Sequence, residues 1–263
     1  MERYVRFCDC NNKISYGLVN GDKVTELIGT EFPYFRPSGI EHDLSAVKLL
    51  FPCTPTKAVC VGLNYKDTIL EPGAEWPVEP LLFIKPSTSL LGPGESIIKW
   101  AMTKDLASEA ELAIVIGKKA HLVAENVAHE YIWGYTIAND VTAKDLQKVD
   151  GLWARSKSFD SFLPLGPWIT CGIDAHNLTI NSFVNGQQKQ KGTTADLIFG
   201  IEYLVSYISH ITTLLPGDVI LTGTPGGYGT SLDVNDKVEI EIAEIGKLTN
   251  HCKGSSESWN LAT

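Results

Sequence analysis

No stretch of this chain is both long and apolar enough to span a bilayer; the longest candidate, residues 197–215, is interrupted by Glu202 and His210. Glu2, Arg3 and Arg6 stand where a secretory leader would carry its apolar run, so the expected location is cytoplasmic, with a mitochondrion as the alternative. Positive charge is scarce: 22 Lys+Arg face 31 Asp+Glu, a formal net charge of -9. Polyanion binding needs a clustered basic face, and a membrane-surface helix needs a basic amphipathic stretch, so neither nucleic acid nor membrane is an expected partner. Paired cysteines are missing too. Six are scattered at 8, 10, 53, 60, 171 and 252; Cys8 and Cys10 share a strand face, but no second pair completes a zinc site. Free thiols of a reducing compartment are expected. There is no G-x-S-x-G elbow, no P-loop and no strand-linked G-x-G-x-x-G; the glycine-rich run 223–229 fits none of these spacings. The six histidines lie far apart, with no H-x-x-x-H pair.

What is present is the composition of an ordinary globular protein, 44 % hydrophobic and 20 % charged over 263 residues. Residues 1–55 read as a small β-rich N-terminal domain, with alternation over 3–7 and 14–19, a turn signal at Asn20-Gly21, and a proline-punctuated linker at 51–55. Residues 56–263 form the large domain. The continuous apolar run 112–116, closed by Gly117, predicts a strand buried on both faces. Residues 178–184 before Asn185-Gly186 predict a hairpin, and 219–222 and 238–242 predict further strands. One amphipathic helix is predicted from Leu197, Ile198, Ile201, Leu204, Val205, Ile208 and Ile211, capped by Thr193 or Thr194 and stopped at Pro216-Gly217. The fold class is β-dominated α+β.

The carboxylates carry the chemical signal. Glu109 and Glu111, two apart at the mouth of the buried strand, project from one face roughly 6–7 Å apart. Such a pair is tolerated as a solvated strand end or around a cation. Asp140 closes the strand-like run 135–140 and reads either as a helix N-cap or as a third hard oxygen ligand of the kind Mg²⁺ or Mn²⁺ takes. Residues 141–147 predict a short helix placing Lys144 and Gln147 on one face. Residues 153–160 alternate as a strand would, placing Arg155 and Lys157 together, either as surface bases or as site residues. The small residues Thr222 to Gly226 close another strand with backbone N–H groups suited to a carboxylate, or make a plain turn.

Six segments in order resemble the fumarylacetoacetate hydrolase family: Val61-Gly62-Leu63-Asn64-Tyr65, Phe83-Ile84-Lys85-Pro86-Ser87, Glu109-Ala110-Glu111-Leu112-Ala113, the run 139–147, Lys157-Ser158-Phe159-Asp160 with Pro164-Leu165-Gly166-Pro167, and Leu221-Thr222-Gly223-Thr224-Pro225. They span most of residues 58–252. The resemblance is nearest to short members acting on acylpyruvates, oxaloacetate or 2-hydroxyhepta-2,4-diene-1,7-dioate. It implies a mixed β-sandwich roll and a homodimer. It implies Mg²⁺ or Mn²⁺ on Glu109, Glu111 and Asp140, chelated by the carboxylate and carbonyl of a 2-oxo or enol acid substrate. Lys157 would hold the enolate oxygen, Gln147 would contact the 2-oxo acid and Thr224 its carboxylate. Lys144 and Glu71 join the implied catalytic set; Gly223, Tyr65, Lys85 and Arg155 join the implied substrate-binding set. Two positions depart from the family pattern. Thr68 stands where a lid histidine is usual, with Glu71 at the glutamate position; threonine is no general base near neutral pH. Lys144 replaces an arginine, keeping charge but losing the bidentate fork. Decarboxylation or isomerisation is therefore expected ahead of C–C hydrolysis, with a turnover-impaired metabolite-binding homodimer as the alternative.

Overall fold

The strand Ala110–Ile116 is buried at all seven positions, which its mostly apolar sequence, Glu111 aside, allows and which requires cover on both faces. It pairs antiparallel with Ile132–Asn139 on one side and Val219–Leu221 on the other. The structure, a computed structural model, describes residues 1–68, 75–226 and 229–256. Around this strand the described residues build a twelve-stranded sheet. On one flank Val219–Leu221 runs parallel to Ala58–Gly62, which pairs with the edge strand Leu81–Lys85. On the other flank Leu163–Cys171 follows, and it pairs with the N-terminal strand Glu2–Cys8. The N-terminal strands Ile14–Asn20, Lys23–Glu31 and Tyr34–Asp43 thus extend the same sheet.

A five-stranded sheet packs against it, in the order Gln187–Thr193, Thr179–Val184, Lys237–Ile242, Gly246–Gly254, Ser96–Lys99. Lys237–Ile242 alternates half-buried and buried residues, the pattern of a strand with one face on a core. Its Val238, Ile240 and Ile242 share a core with Ile114, Ile116 and Ile137 of the large sheet. Two sheets face to face, with few helices, give the expected β-dominated α+β class. The hairpin at Asn185-Gly186 forms with both residues at positive φ, and Val184 pairs with Gln187.

Two helical expectations and one strand expectation are corrected. The long helix, α3, covers only Ile201–Ile211. Residues 197–199 stay outside the helix because Asn64 takes their backbone: Ile198 N donates to Asn64 O (2.9 Å) and Phe199 N to Asn64 Oδ1 (2.8 Å). Thr193 caps a short 3-10 turn, Thr194–Asp196, instead of the helix. Helix α1 runs Lys144–Asp150, since Thr142–Ala143 is still strand, so Asp140 is no N-cap and is released for other work. Residues 154–157, expected as strand, form a single helical turn, α2, Ala154–Lys157, in which Lys157 N donates to Trp153 O (3.1 Å). Positions two apart on a helix do not face together, so Arg155 and Lys157 diverge. Among the described residues no helix is long and apolar enough to cross a membrane.

Candidate active site

A buried aspartate sets the frame. Asp218, fully buried, accepts from Thr56 N and Oγ1, Lys57 N and Nζ, and Leu215 N at 2.6–3.2 Å. Every lone-pair direction is answered, so the charge is stable in the interior. This knot fixes the start of Ala58–Gly62 beside Val219–Leu221, and the ends of these two strands open into a cavity of about 240 Å³.

Glu109, Glu111, Asp140, Lys144, Gln147, Lys157 and Thr224 line that cavity, with Val61, Phe83 and Trp153 among its apolar walls. Glu109, Glu111 and Asp140 are all buried, and one carboxylate oxygen of each lies within 4.8 Å of the others. Tertiary structure aligns them: Ala110 pairs with Asn139, and the Asn139 side-chain carbonyl accepts from Glu109 N (2.9 Å) and Ser108 Oγ (3.0 Å). Adjacent strands therefore deliver the pair 109/111 and Asp140 to one point.

Lysines answer most of this charge. Lys157 Nζ donates to Glu109 Oε2 (2.7 Å) and to Asp140 Oδ2, and Lys144 Nζ donates to Glu109 Oε1. Lys85 approaches from behind, fully buried, its Nζ 2.6 Å from Asp140 Oδ1 and 3.0 Å from Val141 O. Among the described residues no cationic side chain pairs with Glu111, whose Oε2 accepts only from Gly223 N (2.7 Å). Gly223 reaches that position at φ +100°, where a Cβ would stand 3.0 Å from Asn64 Cβ, so both conformation and space favour glycine.

The electrostatic consequences differ by residue. Burial would raise the Glu109 carboxyl, but Lys157 and Lys144 outweigh it and hold it at about 2. Glu111 is pushed well above the carboxylate range by burial first, then by Asp140 and Glu109. Burial opposes the charge on Lys157, yet Asp140 and Glu109 prevail and raise it, so it stays an ammonium at neutral pH. Phe83 and Trp153 present ring faces to that ammonium at 4.9 and 5.9 Å.

The triad fits a divalent cation. Its donors are hard carboxylate oxygens that converge, and burial with two neighbouring carboxylates outweighs the nearby Lys157 charge at Glu111, leaving its ionised form under-compensated. The other expected residues fall in different places. Tyr65 is fully buried, its hydroxyl without a hydrogen-bond partner among the described residues, and Lys85 sits behind Asp140; neither is among the described residues that line the cavity. Arg155 is engaged with Asp150, its Nε 2.8 Å from Oδ2, and does not reach the cavity. Glu71 lies outside the described residues. Sequence reasoning passed over Asn64 and Gln190, two buried amides gripping the 222–225 turn; Gln190 lies in the polar strand Gln187–Thr193, whose composition signals solvent.

Residues 57–253 match the family described as fumarylacetoacetate (FAA) hydrolase C-terminal, and residues 2–52 match an N-terminal family described as Rv2993c-like. The chain is 41% identical over 217 residues to oxaloacetate tautomerase Fahd2a, mitochondrial, of Rattus norvegicus, covering 78% of this chain and 69% of the relative. The structure superposes on 2-hydroxyhepta-2,4-diene-1,7-dioate isomerase of Mycobacterium marinum with a TM-score of 0.90 at 37% identity, covering 98% of this chain and 100% of that one. It also superposes on maleylpyruvate hydrolase of Sphingobium sp. SYK-6, in complex with manganese(II) and pyruvate, with a TM-score of 0.78 at 25% identity, covering 97% and 100%.

Proposed function

Because the chain belongs to the fumarylacetoacetate hydrolase family of enzymes, we propose that it is a divalent-metal-dependent tautomerase or double-bond isomerase of 2-oxo or enol diacids such as oxaloacetate. The observation that carries this reading is Lys157, a buried ammonium fixed between Glu109 and Asp140 in the cavity. Moving a proton next to a carbonyl places negative charge on oxygen, and a preorganised cation in a site shielded from water stabilises that charge. Glu109, Glu111 and Asp140 would hold Mg²⁺ or Mn²⁺, which when bound polarises the oxo group as a Lewis acid. Lys157 donates its Nζ proton as a hydrogen bond to the enolate oxygen. Lys144 and Gln147, neighbours on α1, meet the substrate carboxylate beside Thr224. Phe83 and Trp153 shield the ammonium from water and sharpen its field.

Two observations favour proton transfer over hydrolysis. Among the described residues no histidine lines the cavity, and Thr68 stands at the position of the family's lid histidine. The rat relative is named a tautomerase and the M. marinum neighbour an isomerase. A second copy of this chain is the proposed partner, since Leu81–Lys85 is the edge of the large sheet and leaves Leu81 and Ile84 exposed beside Val78. The proposed compartment is cytosolic or mitochondrial, where six unpaired cysteines are at home.

The test is purified protein with oxaloacetate and Mg²⁺, Mn²⁺ or EDTA, following enol absorbance and assaying pyruvate at the end. Metal-dependent equilibration of keto and enol forms above the metal-only blank, without pyruvate, is the expected result. Pyruvate above that blank would replace the reading by a decarboxylase. Metal binding with no turnover on oxaloacetate, acylpyruvates or dienoic diacids would replace it by a metabolite-binding protein.

A further inference from the structure

We infer that Gln190 is a positioning residue of the catalytic centre, fixing from the second sheet both the peptide between Glu109 and Glu111 and the hydroxyl of Thr224. This deepens the metal-and-oxo-acid reading above and rests on it. Gln190 is buried, and its amide makes all four of its hydrogen bonds. Oε1 accepts from Ala110 N (3.1 Å) and from Ser182 Oγ (3.1 Å), its cross-strand partner. Nε2 donates to Pro225 O (2.9 Å) and to Thr224 Oγ1 (2.8 Å). The amide orientation is unambiguous: the reverse would set NH₂ against a peptide N–H and carbonyl against carbonyl.

That orientation decides the Thr224 hydroxyl. Its oxygen accepts from Gln190 (2.8 Å) and its proton is donated toward Ala110 O (2.9 Å). Ala110 is therefore held at both ends, its N–H by Gln190 and its carbonyl by Thr224. Because Ala110 is the residue between two of the three candidate ligands, this ring sets how Glu109 and Glu111 stand relative to the 222–225 turn. The Thr224 hydroxyl thereby braces that peptide at the wall of the cavity. A neighbouring residue shows how close the contact is. Gly192 lies two positions on, on the same face of the strand, and a Cβ there would come within 2.3 Å of Pro225 Cβ.

The test uses the full chain and the free Mn²⁺ signal in electron paramagnetic resonance, which reads affinity without turnover. Groups that orient metal ligands typically change affinity about 10- to 100-fold when removed. Gln190→Ala and Gln190→Glu, the latter unable to donate to Thr224 and Pro225, are expected to weaken Mn²⁺ binding by about tenfold or more. Gln188→Ala, an exposed neighbour bonded to Asn181, should bind like wild type. Thr224→Val should weaken binding comparably, and combined with Gln190→Ala should add little further. Should Gln190→Ala fail to fold by circular dichroism, Gln190→Glu and Thr224→Val decide between the outcomes. A lower melting temperature with unchanged Mn²⁺ affinity would make Gln190 merely structural and overturn the inference. Wild type that binds Mn²⁺ without acting on oxaloacetate would refute the proposed reaction alone, leaving the affinity ratios to judge Gln190. Wild type that binds no Mn²⁺ would overturn both.

Discussion

Glu111 and Glu109 lie two residues apart and are buried alike, yet their charges are held in opposite ways. Two lysines clamp Glu109, whereas Glu111 accepts from a peptide N–H, feels Lys157 only at a distance, and faces two neighbouring carboxylates. Without metal, Glu111 penalises folding increasingly as pH rises above its ordinary value of 4.5, because its folded-state value is raised. Glu111→Gln is therefore expected to raise the melting temperature of metal-free protein at neutral pH while abolishing the rise that Mn²⁺ produces in wild type. Glu109 works the other way. Its value falls from 4.5 to about 2, so its contribution is complete above about 4.5 and is lost as pH falls towards 2. Urea midpoints taken between pH 5 and pH 2.5 should fall less in Glu109→Gln than in wild type. Lys157→Met, which removes the ammonium but keeps bulk, should cost about 10²-fold or more in kcat, as is usual for a lost group of this kind. It also leaves Glu109 and Asp140 facing each other in the interior, so its stability should recover most strongly on adding Mg²⁺.

Between elements, the two amides act as rivets. Asn64 Nδ2 donates to Thr222 O (2.8 Å) and Phe199 O (3.1 Å), and its Oδ1 accepts from Phe199 N. One side chain thus ties the 222–225 turn to the non-helical segment before α3. Asn64→Ala strands three backbone groups, each worth about 1–3 kcal/mol when buried and unpaired. For a chain of this size a loss of about 3 kcal/mol lowers the melting temperature by roughly 6 °C or more, which calorimetry would register. Helix α2 shows why a single turn matters: it separates Arg155, tied to Asp150, from Lys157, which the turn directs inward.

For the whole molecule, the metal should be a folding ligand as well as a reactant's partner. Anything that binds only the folded state stabilises it by about 2.7 kcal/mol at a hundred times its Kd. Mn²⁺ at that excess should raise the melting temperature by roughly 5 °C, and EDTA should reverse the rise. The exposed edge of the large sheet gives a second expectation, that light scattering returns twice the 28.8 kDa of one chain. Alanine or lysine at Ile84 should shift that mass toward one chain.

Local pattern was enough to indicate the class of fold and to single out the charged groups as candidates. Periodicity revealed the doubly buried strand and the hairpin because those signals lie within a few residues, and Glu109, Glu111 and Asp140 stood out because carboxylates at strand ends demand an explanation. Where those groups meet, and what holds them, depended on the folded chain. The start of α3 moved to Ile201 because a distant asparagine outcompeted the helix for the backbone of 198 and 199, an interaction invisible to local pattern. Lys85 and Gln190 became supports of the site through contacts 55 and 80 residues away in sequence. Long-range hydrogen bonds carry no periodic trace, so residues that orient the chemistry stay hidden until the sheets close around them.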